Sequence, residues 1–285
     1  MRRPRRFVPP ASSLPLPVLG FLLVAATPLS AQPRVLLELR PVVGDTIRMR
    51  IEQETEVNGR RGSAIDAARR VTMTLRLWSR AIVQQRLPGA TGVLAVTDSV
   101  RLTTSDPHAR ELARRTERAL AGRAMRLHIA PDGTARLVSE AERELTAVVS
   151  AMPAALPTRP VAVGDRWRRE MPVPATGSLA AEDGVIRAEF RLDSLTRNGT
   201  LAWISVRGQL SRDAVTSSSA AGSSMSGTLV GDILLDRNRG WLNDARFSLV
   251  VNTTVASPAG RGATPMHVVT RIVQRMRVEG RGARP

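Results

Sequence analysis

Apolar residues return at every second position through much of this chain, and that period constrains its fold more than any other feature. Ile47, Met49 and Ile51 alternate with Arg48, Arg50 and Glu52; Val71, Met73, Leu75 and Leu77 repeat the pattern, and so do Ile186, Ala188, Phe190 and Leu192. Phe247, Leu249 and Val251 continue it, followed by Val268, Ile272, Met276 and Val278 with polar residues between. Successive side chains of a strand point to opposite faces, so the pattern predicts antiparallel strands with one face buried and one wet. Between the runs stand residues suited to tight turns: Pro88 to Gly92, Pro131-Asp-Gly133, Asn198-Gly199 and Asp236 to Gly240. Each predicts a hairpin joint.

Two segments carry helical signals. Asp106 can cap a helix that starts at Pro107 and runs to Ala121 before Gly122, with Leu112, Ala113, Thr116 and Leu120 on one side. Ser139 and Glu142 form a capping box for a second helix, whose stripe of Ala141, Leu145, Val148, Val149 and Met152 ends at Pro153. That stripe calls for an apolar surface to pack on.

The chain also repeats itself. Val43-Gly-Asp45-Thr-Ile-Arg48 matches Val163-Gly-Asp165-Arg-Trp-Arg168 at an offset of 120 residues. Each copy continues in the same order: a variable loop, a hairpin of two long strands, an insertion, a Gly-led strand, and an Asp/Gly turn. Residues 122–133 correspond in this way to residues 227–240. Two such units, with strands of about 10 to 14 residues, can join into one curved sheet whose concave face must be filled. The expected fold is therefore mainly β with minor α: a duplicated, antiparallel, strongly curved sheet or half-barrel with one or two helices packed on its concave face. The organisation reads as a signal peptide over 1–31, a first β repeat with both helices over 32–152, a Pro-rich linker over 153–160, a second repeat over 161–278 and a tail over 279–285.

The leader follows from its own pattern. Arg2, Arg3, Arg5 and Arg6 precede an apolar run from Leu14 to Ala26, and Leu29-Ser30-Ala31 supplies small residues for cleavage. The uninterrupted apolar part is shorter than the roughly 20 residues a spanning helix needs. The sequence thus predicts export and a periplasmic or extracellular protein with no transmembrane span after cleavage.

Composition narrows the chemistry. All 42 Lys+Arg residues are arginine, the net charge is +17, and Lys, Cys and Tyr are absent. That excludes a P-loop lysine, Schiff bases, thiol nucleophiles, disulfides and a lipid-bearing cysteine. Removing the leader leaves 38 arginines against 25 acids, +13, much of it interspersed with acids as on the solvated face of a strand. Six aromatics remain beyond the leader, without a nucleic-acid-binding signature. Asp45 and Asp165, His108, His128 and His267, the serines of 217–226 and the Asp236-Arg-Asn-Arg-Gly240 turn each read better as turn, edge or loop residues than as acid–base, nucleophile or calcium groups. All four Trp fall at strand positions, and Trp203, in the run Leu201-Ala-Trp-Ile-Ser-Val206, reads as core.

The Leu156-Pro-Thr-Arg-Pro-Val-Ala-Val-Gly-Asp-Arg-Trp167 run, with the Gly227 to Gly240 strand and turn, resembles a group of exported bacterial proteins of unknown function that carry a Val-Gly-Asp-x-Trp signature. The expected architecture also looks like the half-barrel of periplasmic lipoprotein carriers, an analogy of fold. The resulting expectation is a non-catalytic envelope protein without cofactor or metal, whose partner is a lipid or other amphipathic ligand held in a sheet–helix groove. Met49, Met73, Leu75, Leu145, Val149 and Phe190 would line that groove. The alternative is a scaffold or assembly factor that contacts another envelope protein and takes no small ligand.

Overall fold

The computed structural model describes residues 33–61, 69–138, 155–172, 185–196, 198–212, 223–255 and 266–280. The predicted leader and the predicted 139–152 helix, with Leu145 and Val149, lie outside these residues. The strands are Thr46–Arg61 (β1), Arg69–Leu87 (β2), Ala90–Thr104 (β3), Ala124–Ile129 (β4), Ala135–Leu137 (β5), Arg166–Pro172 (β6), Val185–Thr196 (β7), Leu201–Arg212 (β8), Ser223–Asp236 (β9), Trp241–Val255 (β10) and Met266–Val278 (β11). They form one sheet in the order β5-β4-β3-β2-β1-β11-β10-β9-β8-β7-β6, with every neighbouring pair antiparallel. The predicted turns sit where expected, with Gly89, Gly133, Asn198, Gly199 and Gly240 all at positive φ.

The last strand lies at the centre. β11 has five strands on either side, and each wing of five runs through the sheet in the same descending order, β5 to β1 and β10 to β6. The two Val-Gly-Asp runs have the same local structure at the start of each wing. Gly44 and Gly164 have φ of 90° and 93°, a region open to glycine and strained for other residues. The Gly44 N–H donates to the Val83 carbonyl (2.9 Å) and the Val83 N–H to the Asp45 carbonyl (2.9 Å), while Gly164 and Leu192 make the equivalent pair at 2.7 and 3.1 Å. A β-bulge follows Val83 in β2 and Leu192 in β7, bending both strands at the same distance from the corner.

The sheet curls. Nine strand spacings separate β4 from β6, about 43 Å in a flat sheet. Yet Arg169 of β6 lies 3.5 Å from Asp132 in the β4–β5 turn, and the Leu156 N–H donates to the Asp132 carbonyl (3.1 Å). The two edges therefore approach each other at the end of the sheet that carries the Gly-Asp corners. Two non-strand segments close that end. Val35 and Val161 exchange backbone bonds (2.8 and 2.9 Å), Leu39 donates to Pro131 (2.8 Å) and Arg40 to Gly240 (2.9 Å). Leu37, Leu39, Ala155 and Leu156 are buried in the same core as the strands.

Among the described residues there is one α-helix, Arg110–Leu120 (α1), entered through a 3-10 turn at Pro107–Ala109. The Asp106 carboxylate accepts from the His108 N–H (3.1 Å), so the predicted cap is present. The helix runs beside β3 beyond the point where β4 stops pairing. There the Glu117 carboxylate accepts from the Leu102 N–H, and Thr97 exchanges backbone bonds with Gly122 and Arg123 at the helix exit (2.9 and 2.8 Å). Unpaired strand edges need such cover. Ala113 and Leu120 are its buried residues. Leu112, expected on that side, is instead 67% exposed.

Candidate functional site

Alternation and register place one continuous surface on the inside of the curl. Ile47, Met49, Ile51, Gln53, Thr55 and Val57 of β1 face inward, opposite Ala81, Ser79, Leu77, Leu75, Met73 and Val71 of β2. On the other side of β1, Ile51, Gln53, Thr55 and Val57 oppose Met276, Gln274, Ile272 and Thr270 of β11. Those four in turn oppose Ala245, Phe247, Leu249 and Val251 of β10.

In the wing from β6 to β10 this surface is a dry core. Phe190 is fully buried and stacks on Trp167, with ring centroids 5.9 Å apart and planes 11° apart. The Trp167 indole N–H donates to the Ala155 carbonyl (2.7 Å), so its one polar atom is satisfied inside the core. Ile186, Leu192, Ile204 and Leu235 are buried around it. In the wing from β1 to β4 the same surface is dry only near the Gly-Asp corner, where Ile47, Leu77, Val83 and Val93 are buried. Met49, between Ile47 and Ile51, is half-buried against that core; further along the strands Val57, Val71, Met73 and Leu102 are half-buried, while Leu75 is buried.

The structure therefore brings Met49, Met73 and Leu75 of the predicted groove to one face of neighbouring strands. Met49 packs against the core, and Leu75 is buried outside the contiguous core cluster. Phe190 shares that face but lies six strands from β2, inside the sealed wing. Trp203 corrects the sequence reading: Ala202, Ile204 and Val206 take the inward positions at 0–1% exposure, which turns Trp203 outward, 41% exposed. An apolar residue out of phase with its neighbours goes to the other face of the strand.

Several polar residues interrupt the inward surface where β1, β11 and β10 meet. Thr55 (4% exposed), Thr270 (1%) and Thr253 (8%) run diagonally across the three strands, next to Gln274 and Gln53. The Gln53 amide donates to Thr55 Oγ1 (3.2 Å), whereas the hydroxyls of Thr253 and Thr270 are buried without a hydrogen-bond partner among the described residues. The sequence signal was available as missing beats in the apolar period: positions 270 and 274 interrupt the series 268, 272, 276 and 278.

The chemistry-bearing candidates take structural places. The Asp165 carboxylate accepts from the Ala162 N–H (3.0 Å) at its corner and lies 3.7 Å from Arg34. The Asp236 carboxylate accepts from the Arg239 N–H (3.0 Å), closing the β9–β10 turn. His267 bonds Thr254 across the outer face of β10 and β11 (3.1 Å), and His108 lies exposed in the entry turn to α1. The outer face carries the charge in short ladders: Arg80 with Asp98, Asp244 with both Arg275 and Arg277, and Arg50 above the Trp78 ring at 5.4 Å. Glu56 accepts from the Asn58 amide (2.8 Å) and the Arg70 guanidinium (2.7 Å), and those two bonds hold its carboxyl below the usual carboxylate range. Among the described residues no helix is long and apolar enough to cross a membrane.

Comparison with known proteins adds four findings. No curated protein matches the chain. Among solved structures, one described under "lipid-protein interactions in lipovitellin" matches 87% of this chain with a TM-score of 0.50 and 9% identity; this chain spans only 26% of that one. A Bacteroides fragilis protein, provisionally described as exported and of YmcC-like fold, matches 82% of this chain and 98% of its own at 11% identity and a TM-score of 0.17. Residues 137–242, from β5 to the start of β10 and including the Val163-Gly-Asp-Arg-Trp167 corner, match the model of a family of unknown function, DUF6263.

Proposed function

We propose that this chain is an exported, non-catalytic protein that holds the acyl part of an amphipathic ligand against the inner face of β1, β2 and β3. One observation carries the reading. A long, open, curled sheet leaves Met49, Val57, Val71, Met73 and Leu102 half-buried on its inward side, while the opposite wing of the same surface is filled. Apolar side chains on an inward face gain roughly 25 cal/mol per Å² when something covers them. Lipovitellin, whose fold this one resembles, is a protein described through its interactions with lipid, which supports the same direction. We further propose that the two wings arose by duplication, on the strength of their matching corners, bulges and strand order, and that residues 1–31 are a cleaved leader. N-terminal sequencing of the exported form should begin near Gln32.

The ligand reading is tested by titrating the delipidated protein with a pyrene-labelled acyl chain, offered as the free acid and as its methyl ester. Saturable binding of at least one form is expected, weakened tenfold or more by Leu75→Glu, which places a charge on the apolar surface between Gln53 and Leu102. Absence of binding to both forms would favour a scaffold that works through protein contacts.

A further inference from the structure

The outer face of the sheet and helix α1 both carry arginine, but they use it differently. On the sheet the arginines meet nearby carboxylates: Arg80 with Asp98, Arg166 with Glu189, Arg187 with Glu170, Arg191 with Asp193, and Arg275 and Arg277 with Asp244. The helix and its exit, residues 110–123, hold five arginines against two glutamates, and all five arginines are exposed. Glu117 is turned to the Leu102 N–H of β3, which leaves Glu111 to pair with Arg115 (3.3 Å) and Arg118 (3.4 Å). Among the described residues Arg110, Arg114 and Arg123 have no carboxylate partner; Arg123 bonds only the Ala119 carbonyl (3.0 Å).

Spacing turns these charges into a surface. Arg110, Arg114 and Arg118 follow one another at four-residue intervals and so form one row along the helix. Leu112 stands 67% exposed among them. Such a surface suits a bilayer, where cationic side chains meet headgroup phosphates and an apolar one reaches the acyl boundary. An acidic protein would satisfy the arginines and leave Leu112 unused. Place supports the same occupant. The helix borders β3 where β4 no longer pairs, and Glu117 ties it to Leu102, the inward residue opposite Leu75 at the half-buried end of the apolar wing. A bilayer against α1 would lie beside the part of the inward surface that the protein leaves uncovered.

We infer that α1 is a docking surface for an anionic phospholipid bilayer, with its arginines on the headgroup phosphates and Leu112 at the acyl boundary. The docking goes beyond the acyl-binding reading and does not need it; only its use, to set the open wing beside a source of acyl chains, rests on that reading.

Co-sedimentation of the mature protein with vesicles tests this. Phosphatidylcholine vesicles containing about a third phosphatidylglycerol should bind it at least tenfold more tightly than phosphatidylcholine alone, and high salt should weaken the binding. The triple variant Arg110→Gln, Arg114→Gln, Arg118→Gln should lose about tenfold or more, and Leu112→Ser about twofold to fivefold. A control triple variant, Arg166→Gln, Arg187→Gln, Arg191→Gln, removes the same charge from β6 and β7 and should stay within about twofold of the parent. All these side chains are exposed, so the variants should melt with the parent. Equal loss in the two triple variants would assign binding to overall charge and overturn the inference, as would no preference for anionic vesicles. Binding to soluble polyglutamate as tight as to the anionic vesicles, and unchanged by Leu112→Ser, would put an acidic protein on the helix instead. The pyrene-labelled methyl ester in solution keeps the two readings apart. Failure of vesicle docking with the ester still bound overturns this inference alone, and failure of the ester to bind with docking intact overturns the acyl-binding reading alone.

Discussion

Moving away from the Gly-Asp corners, β7 and β8 stay buried on their inward side to the far end, at Ile186 and Leu210, whereas β2 and β3 lose burial from Met73 and Val100 onward. The two wings share strand order, corner geometry and the position of a bulge, so topology does not set this difference. Side-chain volume and glycine placement do. The β8–β9 region has inward glycines at 208, 227 and 231, where an added Cβ would overlap the Arg246 carbonyl (at 231), come 2.5 Å from the Val250 carbonyl (at 227) or 2.9 Å from Ile186 Cγ2 (at 208). Strands brought that close draw Phe190, Phe247 and Leu229 into one core. β2 and β3 have no glycine at their inward positions between Val71 and Val83 or between Val93 and Thr104. One wing has spent its inward surface on stability; the other keeps part of it available.

That contrast is most directly broken by paired truncations. Phe190→Ala should destabilise by about 3 to 5 kcal/mol, as expected for a large buried aromatic, and Met73→Ala by less than about 2, because its site is only half-buried. Equal losses in urea melts would show the two wings to be equally packed. A smaller effect tests what the wings share. Gly44→Ala and Gly164→Ala place a Cβ in open space, so each should cost only the backbone strain of positive φ, roughly 1 to 2 kcal/mol. The two values should agree closely; a severalfold difference would mean that the corners are alike in shape and unlike in energetics.

The smallest expected effect concerns the wet side of β1. Because its partners lower the Glu56 pKa in the folded state, Glu56 contributes stability above its unfolded pKa, and that contribution disappears as pH falls through the folded value. Melting temperatures of the parent and Glu56→Gln should therefore differ at pH 6 and converge at strongly acidic pH. A gap that persists in acid would assign the effect to packing.

Much of this architecture could be read from local pattern. Alternation identified the inward residues of β1, β2 and β7, and glycine beside or near Pro, Asp or Asn located the β2–β3, β4–β5, β7–β8 and β9–β10 hairpins. The Val-Gly-Asp match located both corners, because a positive-φ turn leaves a residue-level mark. What escaped the reading has no such mark. Leu37, Leu39, Ala155 and Leu156 close the core from segments without period, and only the curl of the sheet brings them to it. The inward threonines were passed over because a polar residue in an apolar series looks like an interruption until register shows that three strands interrupt it at adjoining places. Trp203 was misplaced because apolar neighbours on both sides hide the phase of a strand.

The central position of β11 also bears on how the chain reaches this structure. Met49 pairs with Val278, 229 residues away in sequence, and β1 has no other partner on that side. Hairpins within each wing can zip early from their turns, on microsecond timescales for an isolated hairpin. The wings, by contrast, can become one sheet only when the final strand arrives between them. Closure at such long range makes for slow folding. Until then β1 and β10 each present an open edge, so the interval before β11 docks is when this protein is most exposed to pairing with another chain.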